Sequence, residues 1–463
     1  MSSELRRSVL SVDVGTSGVR AALFDEEGNQ IEGAQAVTRR ELAGFAELDP
    51  DALVAEVKKT VDELMARSSQ GRVEATAIST FWHSLMGVDA DGAPTTPLLT
   101  WADTRAVKAA RELKAEFDET EIHARTGCRF HPSYWPAKLR WLKAEHPDKF
   151  NATRQWLGFA EYLCLRLFGK TAASVSMASA TGLFDQRACN WDREFIESLN
   201  FSPDHFPEIE TDKELFVVGD GAANNIGGGC STKDKIALMI GTSGAMRVSF
   251  AGEPPAQLPP SLWSYRASRD RVVVGGALSD GGGLLQWLVQ SLNTGNDLHQ
   301  QLAALEPDAH GVTILPFWSG ERSTGWSTEA RGGIFGLHQQ TTTVEIIRAA
   351  LESIAYRFAL IADALDEIAP GAKMIATGNA LRSSPVWLQI IADVLGRPVM
   401  FGGTPEASIR GAALLALEAV GKIVNLDAVS VSVDEVFEPD MQRHARYREG
   451  LTRQQELYER LFT

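Results

Sequence analysis

Apolar positions along this chain follow two rhythms. Near-continuous runs predict strands over 11–14, 21–24, 73–80, 217–219, 272–278, 374–377 and 398–401. Elsewhere the spacing is helical. Leu53, Val57, Val61, Leu64 and Met65 follow an Asp49-Pro50-Asp51 cap, with proline at the first helical position. Gly158 to Phe168 is amphipathic and stops at Gly169. Thr342-x-x-Glu345 is a capping box, and it opens a long helix with Ile346, Ala350, Ile354, Phe358 and Ile361 on one stripe. Helices are also predicted over 385–395 and 405–420, with a charged surface helix over 442–461. Ser174 to Asp185 has no clear period and reads as loop or short strand.

One pattern occurs twice. Ser11 to Asp25 reads as strand, Gly-Thr-Ser-Gly loop and strand, closing on the turn Asp25-Glu26-Glu27-Gly28-Asn29. Leu238 to Val248 repeats it with the Gly-Thr-Ser-Gly core identical. Gly241 lies 226 residues (241 − 15) beyond Gly15, about half of the 463-residue chain. One such tetrapeptide is common by chance. Two copies, each between apolar strands and each opening one half, point to a duplicated unit rather than to unrelated turns. Each tip offers backbone N–H groups and two hydroxyls to an anion, and Asp13 sets a carboxylate beside the first. That combination suits a metal–phosphate complex, with the donors on phosphoryl oxygens and Asp13 helping to hold the cation.

Bulk properties narrow the class. The length predicts two or three domains, and 44% hydrophobic with 23% charged residues reads as globular. A net charge of −15 disfavours nucleic acid and acidic membrane as partners. It also means that an anionic substrate needs cations placed locally. Cys128, Cys164, Cys189 and Cys230 are scattered without Cys-x-x-Cys or zinc spacing, so buried thiols in a reducing cytoplasm are expected. The first apolar run is broken by Asp13 and Arg20, and reads as neither signal peptide nor membrane span.

Several positions carry candidate chemistry. In Gly219-Asp220-Gly221 a short strand delivers one carboxylate among small residues that allow close approach. An N-cap role for Asp220 is the alternative, and the two are compatible. His83, just past a strand end, reads by itself as a capping residue before a ligand group. Trp101 offers an indole face to a carbohydrate, while Asp103 and Arg105 offer hydrogen bonds. A helix-start cap and ion pair explain those two equally well. Gly281-Gly282-Gly283 permits close approach of a nucleotide, or tight packing.

Taken together, the motifs resemble the FGGY carbohydrate kinases of the actin-like ATPase superfamily. The matching elements are Asp13-x-Gly15-Thr16-Ser17, Trp101-x-Asp103-x-Arg105, Lys138-x-x-Trp141-Leu142, Gly219-Asp220-Gly221, Gly241-Thr242-Ser243, Gln286-Trp287-Leu288, Gly320-Glu321-Arg322, 332–352, 382–393 and Gly411-Ala412-Ala413. The resemblance implies an α/β fold of two ribonuclease-H-like domains, 1–232 and 233–463, with a central cleft for ATP and sugar. It implies Asp220 as the base and Asp13, with Asp220, beside Mg2+. Gly15, Thr16, Ser17 and Arg20 would form the first phosphate loop, and Gly241 and Thr242 the second. Gly282, Gln286, Gly378 and Asn379 would face the nucleotide. His83, Trp101, Asp103, Arg105, His131 and Asp220 would face the acceptor. Asn379-Ala380-Leu381, Phe81-Trp82 and Trp135 depart from the family pattern.

Within the family, His83-Ser84-Leu85, His131-Pro132, 137–142 and 178–184 are most similar to gluconate kinases. Arg105, Arg129, His131 and Lys138 are the local cations expected to offset the acidic field around an anionic sugar acid. A kinase for a neutral ketose or polyol such as xylulose is the second reading. A nucleotide-driven binding protein of the same superfamily is the third. The expected partner is a small sugar or sugar acid, with no nucleic acid and no membrane; a homodimer is left open.

Overall fold

The structure is a computed structural model that describes residues 7–15, 17–40, 46–68, 72–209, 215–294, 297–402 and 406–462. Two sheets organise it. In the first, β1 (Arg7–Gly15), β2 (Gly18–Phe24) and β3 (Gln30–Arg39) form an antiparallel meander. β4 (Arg72–Thr80) runs parallel to β1, and β5 (Leu215–Gly219) parallel to β4, giving the order β5-β4-β1-β2-β3. The second sheet contains β6 (Lys235–Ile240), β7 (Gly244–Ala251), β8 (Trp263–Ser268), β9 (Arg271–Leu278), β10 (Lys373–Thr377), β11 (Val399–Gly402) and β12 (Val433–Phe437). Its order is β8-β9-β7-β6-β10-β11-β12. The inner strands β9-β7-β6-β10-β11 repeat the order and directions of the first sheet. The repeated tetrapeptide therefore belongs to a repeated sheet.

The principal helices are α1 (Pro50–Arg67), α2 (Asp220–Gly227), α3 (Gly282–Ser291), α4 (Thr343–Asp366), α5 (Ala407–Ala419) and α6 (Met441–Phe462). The expected caps form. The Asp49 carboxylate accepts from the N–H groups of Asp51 and Ala52. Thr342 N–H donates to Glu345 at 2.7 Å, and Glu345 N–H donates back to Thr342 Oγ1 at 3.2 Å. Two expectations need correction. The 174–185 stretch ends in the short strand expected of it, Phe184–Asp185, but begins with a five-residue helix, Val175–Ser179, capped by the Ser174 hydroxyl. The C-terminal helix is not merely a surface helix. Tyr447, Gly450, Leu451, Gln454 and Tyr458 are buried on one side of it, because the intervening charges all turn outward. No helix among the described residues is long and apolar enough to cross a membrane.

Helix α5 lies between β11 and β12 of the second sheet in sequence but packs on the first. Ile409, Ala412 and 413–417 join the core of β1, β4 and α2, and Ser11 Oγ donates to the Ile409 carbonyl at 2.7 Å. α2 and α5 cross at closest approach. A Cβ at Gly411 would overlap the Ala223 carbonyl, and one at Gly227 the Ala407 carbonyl. Small residues are what allow this contact.

These contacts predict a reversal of sign. Gly→Ala inside a helix ordinarily gains about 1 kcal/mol. Gly411→Ala is expected instead to cost about 1–3 kcal/mol through overpacking against backbone, measured by urea unfolding. A gain in stability would contradict the α2–α5 packing described.

Candidate active site

Asp13 and Asp220 lie at the carboxyl ends of parallel strands, where open α/β sheets bind ligands. Asp13 pairs in register with Ser79, and Gly219 with Thr80. Asp220 is the first residue of α2, and the N-cap position falls on Gly219. The capping alternative for Asp220 is thus off by one residue. The Asp220 carboxylate still sits in the first turn, where the helix dipole favours its charge. Among the described residues its only hydrogen bond is from its neighbour Gly221 N–H at 2.7 Å.

The flanking glycines have a packing cause. A Cβ at Gly219 would overlap the Trp82 indole, and one at Gly221 would crowd both that ring and the Arg247 guanidinium. Trp82 is held in turn by Ser176. Its Nε1–H donates to the Ser176 carbonyl at 3.1 Å, while Gly219 N–H donates to Ser176 Oγ at 3.2 Å. Arg247 comes from β7 of the second sheet. It grips α2 through Asn225 Oδ1 (Nε, 3.1 Å) and Asn224 Oδ1 (Nη2, 3.4 Å). Burial pushes the Asp220 carboxyl up, while Arg247, the Gly221 hydrogen bond and Arg322 pull it down. Burial lowers Arg247 to about 10, against the pull of Asp220. At neutral pH Arg247 therefore remains charged.

Ser79 Oγ donates to Asp13 Oδ1 at 2.9 Å, and Arg20 Nη1 lies 3.4 Å from Oδ2. Arg20 also pairs with Glu406 at 2.7 Å. Burial pushes Asp13 up to about 6; Ser79 and Arg20 oppose this, while Asp220 and Glu406 add to it. Two buried carboxyl groups that disfavour each other's charge, both hard oxygen donors, fit a divalent cation such as Mg2+.

Of the first loop, Thr16 lies outside the described residues. Gly15 closes the hairpin opposite Gly18, and Ser17 is exposed at its tip. Arg40 ties this tip down, its N–H donating to the Ser17 carbonyl at 3.0 Å and its Nη1 to the Gly15 carbonyl at 3.3 Å. In the second loop Gly241 N–H is spent on the Ser243 carbonyl at 2.9 Å. The carbonyls of Gly241 and Thr242 accept from Gly282 (2.8 Å) and from Gly281 and Gly283 (3.1 and 2.9 Å). The triple glycine is thus bonded to the loop itself, which is the tight-packing alternative. Gly378 ends β10 with φ +111°, where a Cβ would overlap the Ile240 carbonyl. Asn379 starts the next short helix, and a Cβ on Gly282 would meet Ala380. Gly241, Gly282, Gly378 and Asn379 therefore converge, and Gln286 is exposed one turn further along α3.

On the acceptor side, His83 has φ +66°, a strained value for a non-glycine residue. Its Nδ1 is 2.7 Å from the Ala180 carbonyl. A carbonyl only accepts, so Nδ1 carries the proton and Nε2 keeps a lone pair. Burial lowers its pKa to about 3, so the ring is neutral. The rings of Tyr134 and Tyr265 stand edge-on to it at 5.0 and 5.5 Å. Tyr265 belongs to the second sheet, and its hydroxyl is hydrogen-bonded to that of Tyr134. Trp101 faces Arg322, whose guanidinium carbon is 5.0 Å from the ring centroid.

The four expected cations are occupied. Asp103 is buried and holds Arg105 through Nε (3.0 Å) and Nη2 (2.7 Å), and Arg105 also pairs with Glu47. Arg129 pairs with Glu119 at 2.5 Å. Lys138 Nζ donates to the carbonyls of His83 and Thr100, both at 2.7 Å, and burial lowers it to about 7. His131 is neutral, lowered by burial to about 3, and both its ring nitrogens are engaged, with Ser133 and with the Glu321 carbonyl. The cation that does enter this pocket is Arg322, from the second half. The motif Gly320-Glu321-Arg322 was visible in the sequence, but nothing local tied it to Trp101.

Fold and site define a two-domain α/β protein of the actin-like ATPase class, with one carboxylate at the junction of two duplicated sheets. The N-terminal domain model of the FGGY family of carbohydrate kinases matches residues 8–227, and the C-terminal domain model matches 236–420. The chain belongs to this family and is a sugar kinase. Its relatives include a gluconokinase of Bacillus subtilis strain 168, 29% identical over 93% of this chain and 91% of that one. A gluconate kinase from Lactobacillus acidophilus superposes with a TM-score of 0.88 at 26% identity, over 98% of both chains. A ligand-bound xylulose kinase from the same organism reaches 0.87, also at 26% identity and 98% coverage of both.

The raised Asp13 carboxyl has a stability consequence. Its folded pKa lies above its unfolded one, so ionised Asp13 destabilises the fold above about pH 6, and the cost vanishes below about pH 4. In metal-free buffer Asp13→Asn is expected to stabilise the protein at pH 8 by up to about 3 kcal/mol, with no gain at pH 3.5. Calorimetry over that range checks it; a loss of stability at pH 8 is the contrary result.

Proposed function

We propose that the protein transfers the γ-phosphoryl group of ATP to a hydroxyl of a small sugar acid, with gluconate as the leading acceptor. The observation that carries this is the Asp220 carboxylate. Burial raises it while Arg247 and the α2 dipole favour its charged form, and its oxygens are committed to no other side chain. Asp220 orients the acceptor hydroxyl and takes its proton as the new P–O bond forms and the bond to ADP breaks. His83 Nε2 and the Trp101 face position the sugar. The hydroxyls of Thr16, Ser17 and Thr242, with Arg20, hold phosphoryl oxygens. Gly282, Gln286, Gly378 and Asn379 receive the nucleotide. Asp13, with Asp220, would hold Mg2+, which would supply charge neutralisation for the phosphoryl groups. The units 1–232 and 233–463 close on this site and exclude water.

The gluconate preference rests on the relatives. The near-equal likeness to a xylulose kinase supports a second reading, a neutral ketose acceptor. A coupled ADP-release assay over aldonates, ketoses and polyols separates them. The expected result is a kcat/KM for gluconate at least tenfold above that for xylulose or glycerol. Asp220→Asn is expected to keep ATP binding, measured by calorimetry, and to lose at least about 100-fold in kcat. Near-normal turnover in that variant contradicts the assignment of the base.

A further inference from the structure

The acceptor-side residues come from separate stretches of the chain, yet their backbones are held by the same helix, Trp135–Glu145. Trp135 Nε1 donates to the Ser84 carbonyl at 2.9 Å, next to His83. Lys138, three residues on, donates to the His83 carbonyl and to the Thr100 carbonyl, just before Trp101. The Ser133 hydroxyl, two residues ahead of the helix, donates to the Trp101 carbonyl at 2.9 Å. Trp141 packs its ring against Arg105, whose guanidinium carbon is 4.7 Å from the centroid. The helix is itself fixed, because Trp135, Ala137, Leu139 and Leu142 are buried in a core.

Lys138 is the unusual member of this set. Lysine is seldom fully buried without a carboxylate partner. Lys138 is 1% exposed, and its hydrogen bonds among the described residues go to the two carbonyls. Asp103 favours its charge, but the Asp103 carboxylate is hydrogen-bonded to Arg105. Burying an ammonium is costly, and an apolar side chain of similar length would fill the same space. What the ammonium adds is a grip, since charge-assisted hydrogen bonds are shorter and stronger than neutral ones. The place of the grip matters. Leu85 and Leu99 exchange backbone hydrogen bonds at 2.8 Å in both directions, so segments 83–85 and 99–101 run side by side. Past that rung two carbonyls face the same point, and the ammonium is the donor between them. One of them belongs to His83 at φ +66°, a conformation that persists only where the surroundings enforce it.

We propose that Lys138 is a positioning residue for the acceptor: by holding the carbonyls of His83 and Thr100 together it sets the spacing between the His83 ring and the Trp101 indole. It acts through those two side chains and not by contact with the sugar. The inference rests on the placing of His83 and Trp101 against the acceptor, and applies to a sugar acid and a neutral sugar alike. A misplacement of about 1 Å between groups that hold a substrate costs on the order of 100-fold. Without the ammonium the two carbonyls lose their common donor and the segments part.

A double-mutant cycle tests this, on whichever acceptor gives the highest kcat/KM in the coupled assay. Lys138→Met, His83→Ala and the double variant are compared with wild type, with melting temperature and ATP binding by calorimetry as controls. Lys138→Met is expected to raise the acceptor KM by at least about 30-fold and to leave ATP affinity within about threefold. In the His83→Ala background the same substitution is expected to raise it by at most about 10-fold, because the group being positioned is gone. Full additivity overturns the proposal, as does an acceptor KM in Lys138→Met within about threefold of wild type. A parallel loss of ATP binding also overturns it, since a general loss of fold moves both. A wild-type acceptor KM in His83→Ala overturns the acceptor-side placing and the proposal together. If the Met variant fails to melt cooperatively, Lys138→Gln decides, being uncharged and shorter. A raised acceptor KM there with ATP binding intact supports the proposal, and an unchanged one overturns it.

Discussion

The Asp220 carboxylate stands where two sheets meet, and the cation that opposes the effect of burial on it comes from the other sheet. That pairing of Asp220 with Arg247 is the constraint on which the rest depends. Arg247 reaches α2 only because β7 is held against it, and it anchors on Asn224 and Asn225 of the same helix. α2 in turn keeps its position because Gly227 and Gly411 let α5 lie against it. The indole of Trp82 fills the remaining side and requires glycine on both flanks of the acid. Packing, backbone choice and ionisation thus converge on one side chain.

The same logic extends outward to the acceptor. His83 is strained, neutral and hydrogen-bonded on one nitrogen, so its other nitrogen is a fixed acceptor. Lys138 is buried beneath it and holds two carbonyls, so that its charge serves the scaffold and not the substrate. The positive character of the pocket is supplied from across the cleft by Arg322.

Much of this was legible in the chain. The duplicated hairpins, the capping box at Thr342, the helix over 385–395 and the carboxylate after β5 all depend on residues close in sequence, where local chemistry decides. Asp103 and Arg105 left two readings level, and the structure shows the ion pair of the plainer one. What the chain concealed depends on distant segments. Nothing local to α5 says that it returns to the first sheet. Nothing in 442–461 separates an exposed helix from one burying Tyr447 and Tyr458. Arg105, Arg129, His131 and Lys138, the cations expected beside an anionic acceptor, are each engaged by protein groups that the sequence does not reveal. Arg322 reaches the pocket from 221 residues (322 − 101) beyond Trp101, a distance no periodicity spans.

The central claim is that Arg247 holds Asp220 in its ionised form. The pH dependence of kcat/KM at saturating Mg2+ tests it most directly, in wild type, Arg247→Lys and Arg247→Met. Removing the cation raises the carboxyl, so the acid limb of the Met variant is expected to move up by at least about one pH unit, while the Lys variant stays near wild type. An acid limb that does not move when the guanidinium is gone contradicts the account.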